Sequence, residues 1–163
     1  MNQVSAIVYT SNTGYTQRYA AMLGRAAGLP VHRLGDGALP RDTSVLYLGW
    51  LCAGGIKGLK KARSRYNVRA VCAVGMSPNT AEYTAKLSGQ NHLGGTPLFY
   101  LQGGYSPAQM TGVYKPMMAM MGKVVSKAPP KDESERAMQE AFAKGGDWVS
   151  EEQLAPVKAW LGV

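Results

Sequence analysis

Val4-Ser5-Ala6-Ile7-Val8-Tyr9-Thr10-Ser11-Asn12-Thr13-Gly14-Tyr15-Thr16 is the stretch on which the fold turns. It passes from a β-rich apolar run into a cluster of small polar residues. Tyr15, Tyr19, Met22, Leu23 and Ala26 then recur at helical spacing until Gly28-Leu29-Pro30 ends the segment. Strand, polar turn and helix in that order put the free backbone N–H groups of a helix start, and the positive end of its dipole, at the tip of a strand. A phosphate is attracted to such a place. Ser11, Thr13 and Thr16 add hydroxyl donors, Asn12 adds an amide, and Gly14 lets the backbone turn closely around the anion, with no lysine required. The same small polar residues also suit a turn and helix cap that bind nothing.

Working outward, four further β-rich runs follow at residues 30–34, 44–50, 68–75 and 97–101, separated mostly by helix-like stretches. Val45-Leu46-Tyr47-Leu48 and Ala70-Val71-Cys72-Ala73-Val74 are apolar at every position, as expected of strands covered on both faces. The expectation is a doubly wound α/β domain with a five-stranded parallel sheet between two helix layers, spanning residues 1–163 as a single domain. Ser150-Glu151-Glu152-Gln153 has the form of a capping box, and Leu154, Val157 and Leu161 fall on one face of a terminal helix. Gly145-Gly146 separates that helix from a helical segment near residues 134–142.

Apolar residues make up 45% of the chain and charged residues 17%, which excludes a disordered or fibrous protein. The longest apolar runs fall well short of the roughly 18–20 residues that cross a bilayer. Met1-Asn2-Gln3 leads directly into the apolar run with no basic leader, so the expected location is the cytoplasm. Cys52 and Cys72 lack CxxC spacing and read as reduced thiols; with His32 and His92 they make no metal or triad pattern. The net charge is +8, and Lys57, Lys60, Lys61, Arg63, Arg65 and Arg69 come without one acid among them, a face open to anionic partners or simply a solvated one. No nucleic-acid-binding motif accompanies that charge, so no specific nucleic-acid partner is expected.

Residues 102–131 are the unusual region. They begin Gln102-Gly103-Gly104-Tyr105, pass through Met110, Tyr114, Met117, Met118, Met120 and Met121, and contain Lys115, Lys123, Lys127 and Lys131 but no acid. Three readings fit: ordinary core, a ligand-facing wall, or a basic amphipathic segment in weak peripheral contact with the inner face of a membrane.

The first loop resembles that of the flavodoxins, which reads Thr/Ser-x-Thr-Gly-x-Thr after strand one and binds the FMN phosphate; Ser11, Thr13, Gly14 and Thr16 match. The resemblance implies strand order 2-1-3-4-5 and FMN as cofactor. It also implies two ring-binding loops, Gly49-Trp50-Leu51-Cys52-Ala53-Gly54-Gly55 and Gly75-Met76-Ser77-Pro78-Asn79-Thr80. The candidate cofactor residues are thus Ser11, Asn12, Thr13, Gly14, Tyr15, Thr16, Trp50, Leu51, Cys52, Ala53, Gly54, Met76, Ser77 and Asn79. Trp50 either stacks on the flavin or is the last buried residue of its strand. Ordinary electron-carrier flavodoxins are acidic around the flavin, whereas this chain is basic. Gly103-Gly104-Tyr105 and the tyrosines and methionines after it look similar to the flavodoxin-type protoporphyrinogen dehydrogenase branch.

The resemblance implies an FMN-dependent oxidoreductase that dehydrogenates a porphyrinogen-like, anionic substrate drawn by Lys and Arg. The alternative is a small electron carrier or quinone-type reductase that serves a redox partner protein or a quinone. From a different class comes a flavin-free module that binds another phosphate ligand or anion at the 11–16 loop.

Overall fold

A computed structural model of the chain describes residues 4–106 and 112–163; the expectations that fall on residues 1–3 and on Met110 lie outside the described residues. The strands are β1 (Ala6–Tyr9), β2 (Val31–Arg33), β3 (Ser44–Cys52), a two-residue β4 (Gly55–Ile56), β5 (Asn67–Gly75) and β6 (Leu98–Gln102). Pairing is parallel throughout β2-β1-β3-β5-β6, while β4 only folds back antiparallel on the end of β3. With β4 set aside this is the order 2-1-3-4-5, flanked by helices, and the architecture is flavodoxin-like.

Alternation along the strands explains why they read as continuously apolar. Val8, Val45, Tyr47, Val71 and Ala73 pack on one side of the sheet, with Leu59 and Ala62 of α2 (Leu59–Arg65) and Leu87 of α3 (Ala81–Gln90). Ile7, Leu46, Leu48, Cys72 and Val74 pack on the other side, with Tyr19, Ala20 and Leu23 of α1 (Tyr15–Ala27) and with Leu154 and Val157. Every residue thus finds a buried face, as parallel strands require. One irregularity interrupts the ladder. Val45 pairs with Val68 but Leu46 pairs with Ala70, so Arg69 is an extra residue that stays exposed, and the strand resumes with its apolar faces in step.

The rest of the chain forms an addition at the carboxyl edge. β7 (Gly104–Tyr105) pairs antiparallel with β8 (Gly146–Asp147), and between them α4 (Tyr114–Val125) packs against α5 (Glu133–Lys144). Asp132 caps α5, its Oδ1 accepting from Glu135 N at 2.8 Å, while the Glu135 carboxylate accepts from Lys131 N at 2.7 Å.

The box expected at residues 150–153 does not form. Ser150 precedes a short 3₁₀ turn (Glu151–Leu154) that leads into α6 (Ala155–Leu161), and its side chain makes no capping bond. Gln153 is engaged elsewhere: Oε1 accepts from Gln102 N at 2.7 Å, and Nε2 lies 2.7 Å from Trp148 O and 2.8 Å from Tyr19 Oη. Tyr19 in turn donates to Gln102 O at 2.6 Å. The glutamine therefore bridges the end of β6, helix α1 and the strand leading out of the addition, a tertiary use that outbids a local cap. Gln153→Ala would leave several part-buried groups without partners, and is expected to cost roughly 2–3 kcal/mol, about twice a lost cap. Urea denaturation would check this; a loss well under 1 kcal/mol would show that the bridge contributes little.

Candidate functional site

In an open parallel sheet the strand order reverses where two connections leave in opposite directions, here between β1 and β3. Loops at the carboxyl ends of the strands leave a crevice there. The loops that follow β1, β3 and β5, roofed by α4 and α5, enclose a cavity of about 240 Å³ at this place.

From β1 come Ser11, Asn12, Thr13, Tyr15 and Thr16, all lining the cavity. Gly14 is the N-cap of α1 with φ 98°, a left-handed conformation that favours glycine, and no side chain caps the helix, so its first N–H groups are left for another acceptor. Ser11 Oγ accepts from Gly14 N at 3.0 Å and closes the loop on itself. Thr16 is 2% exposed, and Asn12 Oδ1 is buried with no hydrogen-bond partner. Since an amide can turn over to present its NH2 instead, Asn12 is a polar end whose bonding capacity is still to be filled.

From β3 come Trp50, Leu51, Cys52, Ala53 and Gly54. The strand runs on to Cys52, two residues beyond its expected end, so Trp50 is not the last residue of the strand. It is half-buried, faces the cavity and meets Tyr114 of α4 edge to face at 4.9 Å. Ala53 (φ 51°) and Gly54 (φ 82°) make the two-residue turn into β4, both left-handed as a tight hairpin demands. Asn91 braces that turn from behind, donating to Gly54 O and accepting from Ile56 N, each at 2.9 Å.

From β5 come Val74, Gly75, Met76 and Ser77. Tyr100 donates to Ser77 O at 2.6 Å and Gln102 Nε2 to Met76 O at 2.9 Å, while Arg33 donates to Ser11 O at 3.1 Å. Loop carbonyls are thus held by donors on the strands. Burial, more than any other factor, pushes the Tyr100 hydroxyl far above the ordinary tyrosine range, so it remains a donor. Of the expected residues, Gly14 and Asn79 do not line the cavity: Gly14 supports the loop as the N-cap of α1, and Asn79 Nδ2 is 3.4 Å from Tyr100 O, in a shallow depression with Thr84 and Ser88.

The fourth wall was only partly visible in the sequence. Met118 and Met121 of α4 and Tyr105 with Gly104 belong to the region marked as unusual, but Met138 and Phe142 of α5 and Tyr83 of α3 were not singled out. The spacing of Met138 and Phe142 by four on one helix was the available signal. The methionine stripe is divided: Met118 and Met121 line the cavity, whereas Met117 and Met120 are exposed. Among the described residues, no charged residue and no histidine lines the cavity. Lys57 stands outside, its ammonium 4.9 Å from the Tyr114 ring centroid and 5.9 Å from that of Trp50. Its bond to the Tyr114 hydroxyl holds the lysine pKa above its ordinary value. With Lys60 and Lys61 it borders a shallow groove that meets the cavity at Cys52.

Beneath two of the loops lies the Tyr47 hydroxyl, in contact with Lys57 O and 2.9 Å from Thr10 Oγ1. Donation to the carbonyl leaves Thr10 to donate in return.

Fold and cavity together define an α/β protein of flavodoxin-like architecture with a cavity at the switch point of the sheet. Among solved structures, a flavodoxin, WrbA-like protein from Agrobacterium tumefaciens is similar at 20% identity, over 59% of this chain and 82% of that one, with a TM-score of 0.34. A structure described as a hypothetical protein is similar at 14% identity, over 98% of this chain and 73% of that one, with a TM-score of 0.37. No protein-family model and no curated protein matches the chain.

Burial raises the Tyr47 pKa from near 10 to about 12. The folded state therefore holds this proton more tightly than the unfolded chain. The stability it contributes is complete below about pH 10 and falls as pH rises toward about 12. Urea midpoints taken between about pH 8 and about pH 11 are expected to fall more steeply for the wild type than for Tyr47→Phe. At neutral pH that variant is expected to lose roughly 1–3 kcal/mol. Parallel pH profiles would exclude Tyr47 as the titrating group.

Proposed function

We propose that the chain binds FMN in this cavity and acts as a redox protein. The observation that carries the reading is the division of one cavity into two chemistries. One end is a loop of hydroxyls, an amide with unfilled bonding capacity and an uncapped helix start; the other is aromatic and thioether surface. A phosphate suits the first end, where Ser11, Asn12, Thr13 and Thr16 would hold it without a lysine. A flat heteroaromatic ring suits the second, between Trp50 and the segment Met76-Ser77, with the Ala53-Gly54 turn bringing backbone close. FMN, when bound, supplies the hydride or electron transfer. The chain's own part is to orient the ring, exclude water with the methionine wall and set the local field, which the absence of charged lining residues leaves weak.

That same absence bears on the substrate. An uncharged ring compound of the quinone type fits the methionine-walled half, which offers no cation to a carboxylate. A porphyrinogen-like substrate is the second reading, and the observation that favours it is the groove at Cys52, where Lys57, Lys60 and Lys61 could receive carboxylates projecting from the cavity.

Titration of FMN by the purified protein, followed by quenching of flavin fluorescence, is expected to saturate. Thr13→Ala together with Thr16→Ala is expected to weaken binding roughly 100-fold, from two lost hydrogen bonds to an anion. A wild-type protein that leaves flavin fluorescence unchanged would sink the flavoprotein reading. With FMN bound, replacing Lys57, Lys60 and Lys61 by glutamine is expected to spare turnover of a soluble quinone; a selective loss with protoporphyrinogen would favour the second reading.

A further inference from the structure

The outer face of α4 is accounted for neither by the cavity nor by the core. Val113, Met117, Met120 and Val124 are 75%, 36%, 68% and 61% exposed and, with Val163, make up the exposed large apolar side chains among the described residues. At 3.6 residues per turn the four fall within an arc of about 60°, so they form one continuous stripe about three turns long. Met118 and Met121 lie to one side of it and line the cavity, so the helix carries two apolar faces, of which the addition buries one. The helix is otherwise seated on α5, where the Phe142 ring lies closely over Gly122.

A contiguous exposed apolar stripe marks a surface that something covers. The charge around it indicates what. Lys123 borders the stripe, Lys127 follows just past the helix end, both are exposed, and no acidic residue occurs between Glu82 and Asp132. The acids nearest in sequence belong to the start of α5: Asp132 caps it, Glu135 accepts from Lys131 N, and Glu133 stands 4.0 Å from Arg136. An apolar stripe bordered by lysines matches an interfacial helix, whose apolar side enters the acyl boundary while its cations meet anionic headgroups.

We propose that α4 docks the protein reversibly on an anionic bilayer surface through Val113, Met117, Met120 and Val124, with Lys123 and Lys127 on the headgroups. The proposal is independent of the flavin reading. In that pose the methionine wall of the cavity is the face of the docked helix next to the stripe, so an apolar compound dissolved in the bilayer would lie close to the cavity. A single short amphipathic helix gives weak, salt-sensitive attachment, which is the behaviour expected here.

The test is co-sedimentation of the full-length chain with phosphatidylglycerol-containing vesicles and, separately, with pure phosphatidylcholine vesicles. Wild-type protein is expected to pellet with the anionic vesicles at low salt, to be released by salt and to remain largely in solution with the neutral ones. Met117→Glu with Met120→Glu, and separately Lys123→Glu with Lys127→Glu, are each expected to lower the bound fraction at least tenfold. Neither pair should change the thermal unfolding midpoint, because none of the four side chains is buried. Wild type that stays in the supernatant, or binding that survives both pairs, would overturn the proposal. So would a dimer, seen by light scattering, that Met117→Glu with Met120→Glu dissolves, since the stripe would then belong to a second copy of the chain.

Discussion

The hydroxyl of Tyr47 is one buried group that connects the sheet to the site. It stands on the strand at the centre of the sheet, and its ring lies in the core, yet its oxygen reaches Thr10, where β1 ends, and the Lys57 carbonyl, beyond the turn that follows β3. A buried polar group without a partner is costly, so these two loops are held wherever that oxygen can be satisfied, and with them one edge of the cavity. Tyr100 does the same for the loop after β5 through Ser77, and Asn91 for the β3–β4 turn. The rigid sheet thereby passes its geometry to segments that have no regular structure of their own.

This arrangement also says what kind of cavity can result. With loop carbonyls turned toward donors on the strands, the end near α1 presents hydroxyls and backbone N–H groups, an environment suited to an anion. The opposite wall belongs to the α4–α5 pair, whose methionines supply polarizable surface without charge. The basic residues that give the chain its net charge of +8 are not among the described residues that line the cavity. Their influence is on what approaches the molecule and from which side, because exposed charges act through a field screened within about 8–10 Å.

Much of the fold was legible in advance because two local rules agreed along the chain. Continuous apolar runs marked the central strands, and Gly28 with Pro30 closed the first helix where the glycine now adopts φ 66°. Where a side chain had a long-range partner, local rules failed. The box-like residues Ser150 to Gln153 looked like a cap, but Gln153 had three other segments to join. Asn79 shared its segment with cavity residues yet turned toward Tyr100, and nothing in a single loop's sequence distinguishes those two outcomes.

The sequence by itself determined the parallel sheet and the loop of small hydroxyl residues at the first helix, while the strand order followed from that loop's resemblance to the flavodoxins. Periodicity and turn chemistry act over a few residues and can be read there. Only the tertiary structure decided that Met138, Phe142 and Tyr83 join the cavity wall, that no charged side chain among the described residues lines it, and that the methionines of α4 divide between an inner and an outer face. Those facts depend on how the α4–α5 pair is seated over the ends of the strands. That seating is set by contacts such as Tyr114 on Trp50 and Tyr105 against Phe142, between residues far apart in the chain.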